Sequence, residues 1–180
     1  MIPIELTFWI LVALFGAVGF IRGWSKEVGT TTGLILAMLI LNRFGEKAIA
    51  FANKFFRAAG MEQLTIAEAP SLSRFLFFAL VFLAVAFISY HGETLALGKK
   101  ASGVAESVLG LFIGLINGYL IAGNLWFFLH EQSYLPALRI FTEPSSPTAL
   151  LMIRFLPPRI LSEPVLFLLL VLLLLLRIIA

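Results

Sequence analysis

Residues 108–129 read VLGLFIGLINGYLIAGNLWFFL, twenty-two positions without a single formal charge. At about 1.5 Å per residue this stretch is long enough, as a helix, to cross about 30 Å of hydrocarbon. Its polar content is confined to Asn117 and Asn124, and its glycines recur at Gly110, Gly114 and Gly118. Two consecutive small-xxx-small repeats of this kind let helix backbones approach closely, and an asparagine on the same arc can bond across the contact. Glu106 continues that arc toward the preceding loop. The segment predicts a membrane span whose glycine face is a seam between helices. A substrate path along Asn117 and Asn124 is the competing, less favoured reading.

The rest of the chain has the same character. Apolar residues make up 61% of the 180 positions and charged ones 13%, about half the charged fraction usual for a soluble domain. The apolar residues are gathered into long runs, which a water-soluble core does not need. The fold class is therefore all-α: a polytopic membrane helix bundle of four spans plus a fifth. The first span is expected over Ile4–Ile21, the second over Val28–Leu41, the third over Phe75–Tyr90 and the fourth over Val108–Leu129. The start, Met1-Ile2-Pro3-Ile4-Glu5, lacks the basic n-region of a cleavable signal, so the first segment reads as a retained helix.

Between the second and third spans, residues 44–58 have a different periodicity. At 100° per residue Glu46, Lys47, Asn53, Lys54 and Arg57 fall on one face, and Phe44, Ala48, Phe51, Ala52, Phe55 and Phe56 on the other. That pattern predicts an interfacial amphipathic helix, with Phe51 and Phe55 toward lipid and Lys54 toward water. Residues 131–163 carry five prolines, which preclude one continuous helix and predict short pieces outside the bilayer. Residues 164–180 are mostly leucine and reach only about 25 Å, a marginal fifth span with Arg177 snorkelling to the interface. The domain reading is thus a four-span membrane domain over 1–130, a proline-containing loop over 131–163 and an additional span over 164–180.

Several function classes are disfavoured. With no cysteine, disulfides, thiolate metal sites and cysteine nucleophiles are excluded. His91 with Glu93 and His130 with Glu131 lack metal-ligand spacing and lie at span ends, so no catalytic, metal or cofactor residue is assigned. The net charge of +3 is scattered, with no basic and aromatic tract suited to nucleic acid. The expected partners are membrane lipids and either a second copy or other envelope proteins. Glu5 and Arg177, the ionisable residues nearest hydrocarbon, read as interfacial side chains rather than parts of an ion pathway.

Two motifs resemble the colicin V production (CvpA) family of small bacterial inner-membrane proteins. Gly19-Phe20-Ile21-Arg22-Gly23-Trp24-Ser25-Lys26-Glu27-Val28 is similar to that family's first hairpin. Val108-Leu109-Gly110-Leu111-Phe112-Ile113-Gly114, followed by Gly118, is similar to the start of its fourth span. Two departures stand out: Glu106-Ser107 occupies the place of a usual Asp-Arg pair, and Asn117 replaces a frequent arginine. The first-hairpin resemblance adds Arg22, Gly23 and Glu27 to Glu106, Gly110, Gly114, Asn117, Gly118 and Asn124 of the fourth span as the packing or functional candidates. It implies a non-enzymatic role in toxin production and secretion or in cell-envelope homeostasis; the alternative is a small transporter or channel. A raw count of basic residues favours the N-terminus inside. Relatives with an exported protease domain after the fourth span imply the reverse, and the reading leans to the N-terminus outside.

Overall fold

The computed structural model describes residues 3–66, 71–91, 103–135, 143–144 and 146–179. Glu93 and the side chain of Arg177 lie outside the described part. Seven α-helices and one short 3-10 turn, with no strand among the described residues, form the bundle. They are α1 (Ile4–Arg22), α2 (Trp24–Ala58), α3 (Leu72–His91), α4 (Val104–Glu131), α5 (Pro147–Arg154), α6 (Pro157–Ile160) and α7 (Glu163–Ile179). Among the described residues α1, α3 and α4 are long and apolar enough to cross a membrane, whereas α7 is shorter. α2 is absent from that set because its threonines and charged C-terminal half lower its hydropathy, yet it packs on α3, α4 and α7 as the centre of the bundle.

The connections follow from local chemistry. Gly23 ends α1 in a left-handed conformation (φ 83°) and α2 starts at the next residue, so the first hairpin turns on one glycine. α1 therefore runs from an Ile4 end to an Arg22 end, α2 returns, and α3 and α4 repeat the pair. α5 is capped by Ser146, whose Oγ accepts from the Ala149 amide (3.0 Å), with Pro147 at the first helical position.

One expectation from sequence requires correction. The second span and the helix over 44–58 are one continuous helix of 35 residues. Nothing between Leu41 and Glu46 stops it: Asn42, Arg43 and even Gly45 are weak breakers when α3 packs alongside. Its length of about 52 Å exceeds the hydrocarbon thickness, so the charged half continues past the Ile4 end or tilts. In that half Gly45 and Ile49 are buried and Phe56 half-buried, while Phe51 (74% exposed) and Phe55 (61%) remain bare. Asn53 anchors the returning chain, exchanging hydrogen bonds with the Ile66 amide (2.7 Å) and carbonyl (2.8 Å).

The proline segment forms the short helical pieces expected of it, α5 and α6. α5 and α6 do not stand clear of the bundle but pack beside α1 and α4. Ala149, Ile153 and Leu156 join one core with Ile4, Phe8, Val12 and Trp126. Pro157 abuts Gly123, where an added Cβ would lie 2.7 Å from the proline Cγ. The Tyr119 hydroxyl donates to the Phe155 carbonyl where α5 ends, supplying a partner that backbone needs within an apolar surround. Trp126 is 2% exposed beneath this segment and donates to the Tyr134 hydroxyl (3.2 Å).

At the Ile4 end, three ion pairs tie helices together: Arg43–Glu163 (3.6 Å) joins α2 to α7, Arg74–Glu46 joins α3 to α2, and Arg159–Glu131 (3.9 Å) joins α6 to α4. Such a belt of charged side chains suits the headgroup level.

Candidate functional site

The candidate site lies at the opposite end, where α1 and α2 meet. Glu27, in the first turn of α2, is completely buried (0% exposed). An ionised carboxylate in that position needs compensating partners. They come from every other long helix except α7. Arg22 Nη1, from the end of α1, pairs with Glu27 Oε1. Asn117 Nδ2, from α4, donates to Glu27 Oε2 (2.7 Å) and to the Glu27 backbone carbonyl (3.0 Å). The Tyr90 hydroxyl, from the end of α3, donates to Oε2 at 3.3 Å.

A second ring of contacts fixes these groups. Arg22 Nη1 also reaches Thr30 Oγ1 (3.2 Å), and its Nη2 donates to the Tyr90 carbonyl (2.8 Å), satisfying one of the last carbonyls of α3. The guanidinium lies over the Tyr90 ring, 4.5 Å from its centroid. Thr31 Oγ1 donates to Asn117 Oδ1 (2.7 Å), which orients the asparagine so that its amino group faces Glu27. Among the described residues no buried side-chain nitrogen or oxygen lacks a partner. Both Glu27 oxygens are already engaged by donors, so the arrangement is a lock among four helices rather than an open ligand set.

The glycines bring these helices close enough. Gly110 and Gly114 of α4 face Gly19 and Gly23 of α1. A Cβ on Gly114 would lie 2.5 Å from the Phe15 carbonyl oxygen and 2.9 Å from Gly19 Cα; on Gly110 it would lie 2.9 Å from Gly23 Cα. Gly118 meets Val12 in the same way (2.8 Å to Cα). Gly33 of α2 instead meets Ser89 of α3. The expected seam thus joins α4 to α1, backbone against backbone.

A sequence profile of the colicin V production protein family matches residues 4–155. The chain belongs to that family. The match runs past α4 and takes in α5, so the region shared with the family reaches into the proline-containing segment as far as Phe155, whose carbonyl accepts from Tyr119. No curated protein and no solved structure matches the chain. Family membership and the three apolar helices make it a membrane protein.

Of the candidates, Arg22, Glu27 and Asn117 converge on this cluster, and Gly23, Gly110, Gly114 and Gly118 form the seam beside it. Glu106 lies against Gly23, where a Cβ would approach its Oε1 to 2.6 Å, and is half-buried at the mouth of the cluster. Asn124 stands apart: two turns along α4, it donates to the Leu120 carbonyl of its own helix (2.7 Å). Sequence reasoning missed Tyr90, Thr30, Thr31 and Ser89. The signals were a lone tyrosine closing a phenylalanine-rich helix and threonines three and four positions after a glutamate. The threonines do bond back to their own helix, Thr32 to the Val28 carbonyl at 2.9 Å for example, but Thr30 and Thr31 also serve the cluster.

Proposed function

We propose that this chain acts as a non-enzymatic membrane factor of its family, supporting toxin production and secretion or envelope homeostasis as a closed helical scaffold in the bacterial inner membrane. The observation that carries this reading is the saturation of Glu27 by Arg22, Tyr90 and Asn117, which leaves the interior polar groups bound to one another. A continuous polar path would need Asn117 and Asn124 to share a channel, and Asn124 is turned onto its own backbone. We read the N-terminus as outside; what supports this is the resemblance to relatives with an exported domain after the fourth span, against the raw count of basic residues.

The test combines two assays on the full chain. Reconstituted into proteoliposomes, it should conduct protons and potassium no faster than empty vesicles. In a strain deleted for it, the wild-type chain should restore colicin V production, and Glu27→Leu should not. Ion flux that disappears in Asn117→Leu while the fold survives would establish the transporter reading instead.

A further inference from the structure

The α2–α7 contact leaves a groove of about 570 Å³ on the outside of the bundle, lined by Leu36, Leu39, Ile40 and Phe44 of α2 and by Pro164 and Phe167 of α7. Its lower walls are apolar, and Ile40, Phe44 and Phe167 are all exposed there. Its mouth is different. Arg43 stands at the rim, and Lys47 follows one turn along the same face of α2, its Nζ over the Phe44 ring at 5.9 Å. The rim lies in the belt of ion pairs at the Ile4 end. From wall to rim the surface therefore passes from hydrocarbon to cation, the profile of an amphiphile with an anionic head.

We propose that this groove binds one anionic phospholipid, with an acyl chain along Leu36, Ile40 and Phe167 and the phosphate between Arg43 and Lys47. Arg43 and Lys47 supply the charge complementarity. Basic groups between membrane helices at headgroup level attract anionic lipid heads. The one carboxylate at the rim, Glu163, is 3.6 Å from Arg43, and both side chains are about half exposed or more. Exposed pairs of that kind are weak, so a phosphate with a chain seated below it can displace the carboxylate. Glu163 then acts as a competitor that tunes affinity.

The experiment is native mass spectrometry of the full chain in neutral detergent, with phosphatidylglycerol or phosphatidylcholine of identical acyl chains added. One phosphatidylglycerol should be retained with roughly tenfold preference, about the effect of one or two basic groups at a membrane surface. Arg43→Gln with Lys47→Gln should abolish the preference, and Lys54→Gln with Arg57→Gln should leave it intact. Glu163→Gln should strengthen retention, and Ile40→Trp, which fills the groove, should weaken retention of both lipids. Helical content by circular dichroism confirms that each variant is folded. Equal loss in both double variants would mean diffuse charge and overturn the site. Effective competition by glycerol phosphate without chains, or a lipid-free dimer that persists in the wild type and dissociates in Ile40→Trp, would overturn it equally, pointing to a bare anion site or a second copy.

Discussion

Asn117 and Glu27, ninety positions apart, are joined twice: one asparagine amino group donates both to the Glu27 carboxylate (2.7 Å) and to the carbonyl of the same residue (3.0 Å). The pair fixes α4 against the first turn of α2 in position and in rotation, because side chain and backbone must be met at once. Thr31 bonds the other end of the amide, and a flip would turn the Asn117 oxygen toward the Glu27 carboxylate and carbonyl, losing both of those bonds.

Replacing Asn117 by Leu keeps volume but removes these donors and leaves the buried carboxylate with fewer partners. We expect a loss of about 1–3 kcal/mol, the usual penalty for orphaning a buried polar group. Thermal unfolding in detergent measures it, and Asn124→Leu supplies the comparison. The Asn124 amino group donates to its own helix, so its replacement should be the milder of the two; equal effects would mean that Glu27 gains nothing from Asn117.

Breaking the ion pair from one side should be harsher than neutralising it. Glu27→Leu strands Arg22, and Arg22→Leu strands a carboxylate that is wholly buried. Single losses of about 3 kcal/mol follow, the lower part of the range for buried pairs because Arg22 keeps some exposure. The double variant should recover part of that loss. A double-mutant cycle with zero coupling energy would remove the pair from the account of stability.

The glycines should divide by what they touch. Gly114→Ala or Gly114→Leu drives a side chain into backbone of α1, which cannot yield without separating the helices. It should destabilise the bundle more than Asn117→Leu does. Gly33→Ala meets only the Ser89 side chain, so adding Ser89→Gly should rescue it. No single side-chain trim on α1 should rescue Gly114.

Tyr119→Phe removes the donor to the Phe155 carbonyl and should loosen α5 and α6 while leaving the remaining helices in place. The chain has no cysteine, so a single cysteine at Met152 can be labelled cleanly. Labelling there should be slow in the parent and several-fold faster with Tyr119→Phe, an order of magnitude set by an unsatisfied carbonyl of about 1–2 kcal/mol.

The charged half of α2 offers a fifth test through spin labels at Phe51, Phe55, Lys47 and Lys54. If α2 tilts so that this half lies in the interface, the two phenylalanine positions should be lipid-accessible and the two lysine positions water-accessible. Water exposure at all four would show the helix projecting away from the membrane.

The sequence by itself determined the all-α membrane class and the candidate seam, because each rests on local regularities, whereas Arg22 and Glu27 came into view through the resemblance to the family's first hairpin. Uncharged length selects a span, a four-residue glycine repeat selects a close contact, and Arg22 and Glu27 are separated by one hairpin. What it could not decide was which helix the seam meets, or that α2 runs unbroken through Gly45. Helix continuity there depends on the packing of Phe78 from α3 against that glycine. The same holds for the polar cluster, whose members Tyr90 and Asn117 lie 63 and 90 positions from Glu27. Only the antiparallel return of α3 and α4 brings them to one carboxylate, and it is the desolvation of that carboxylate that makes their presence necessary.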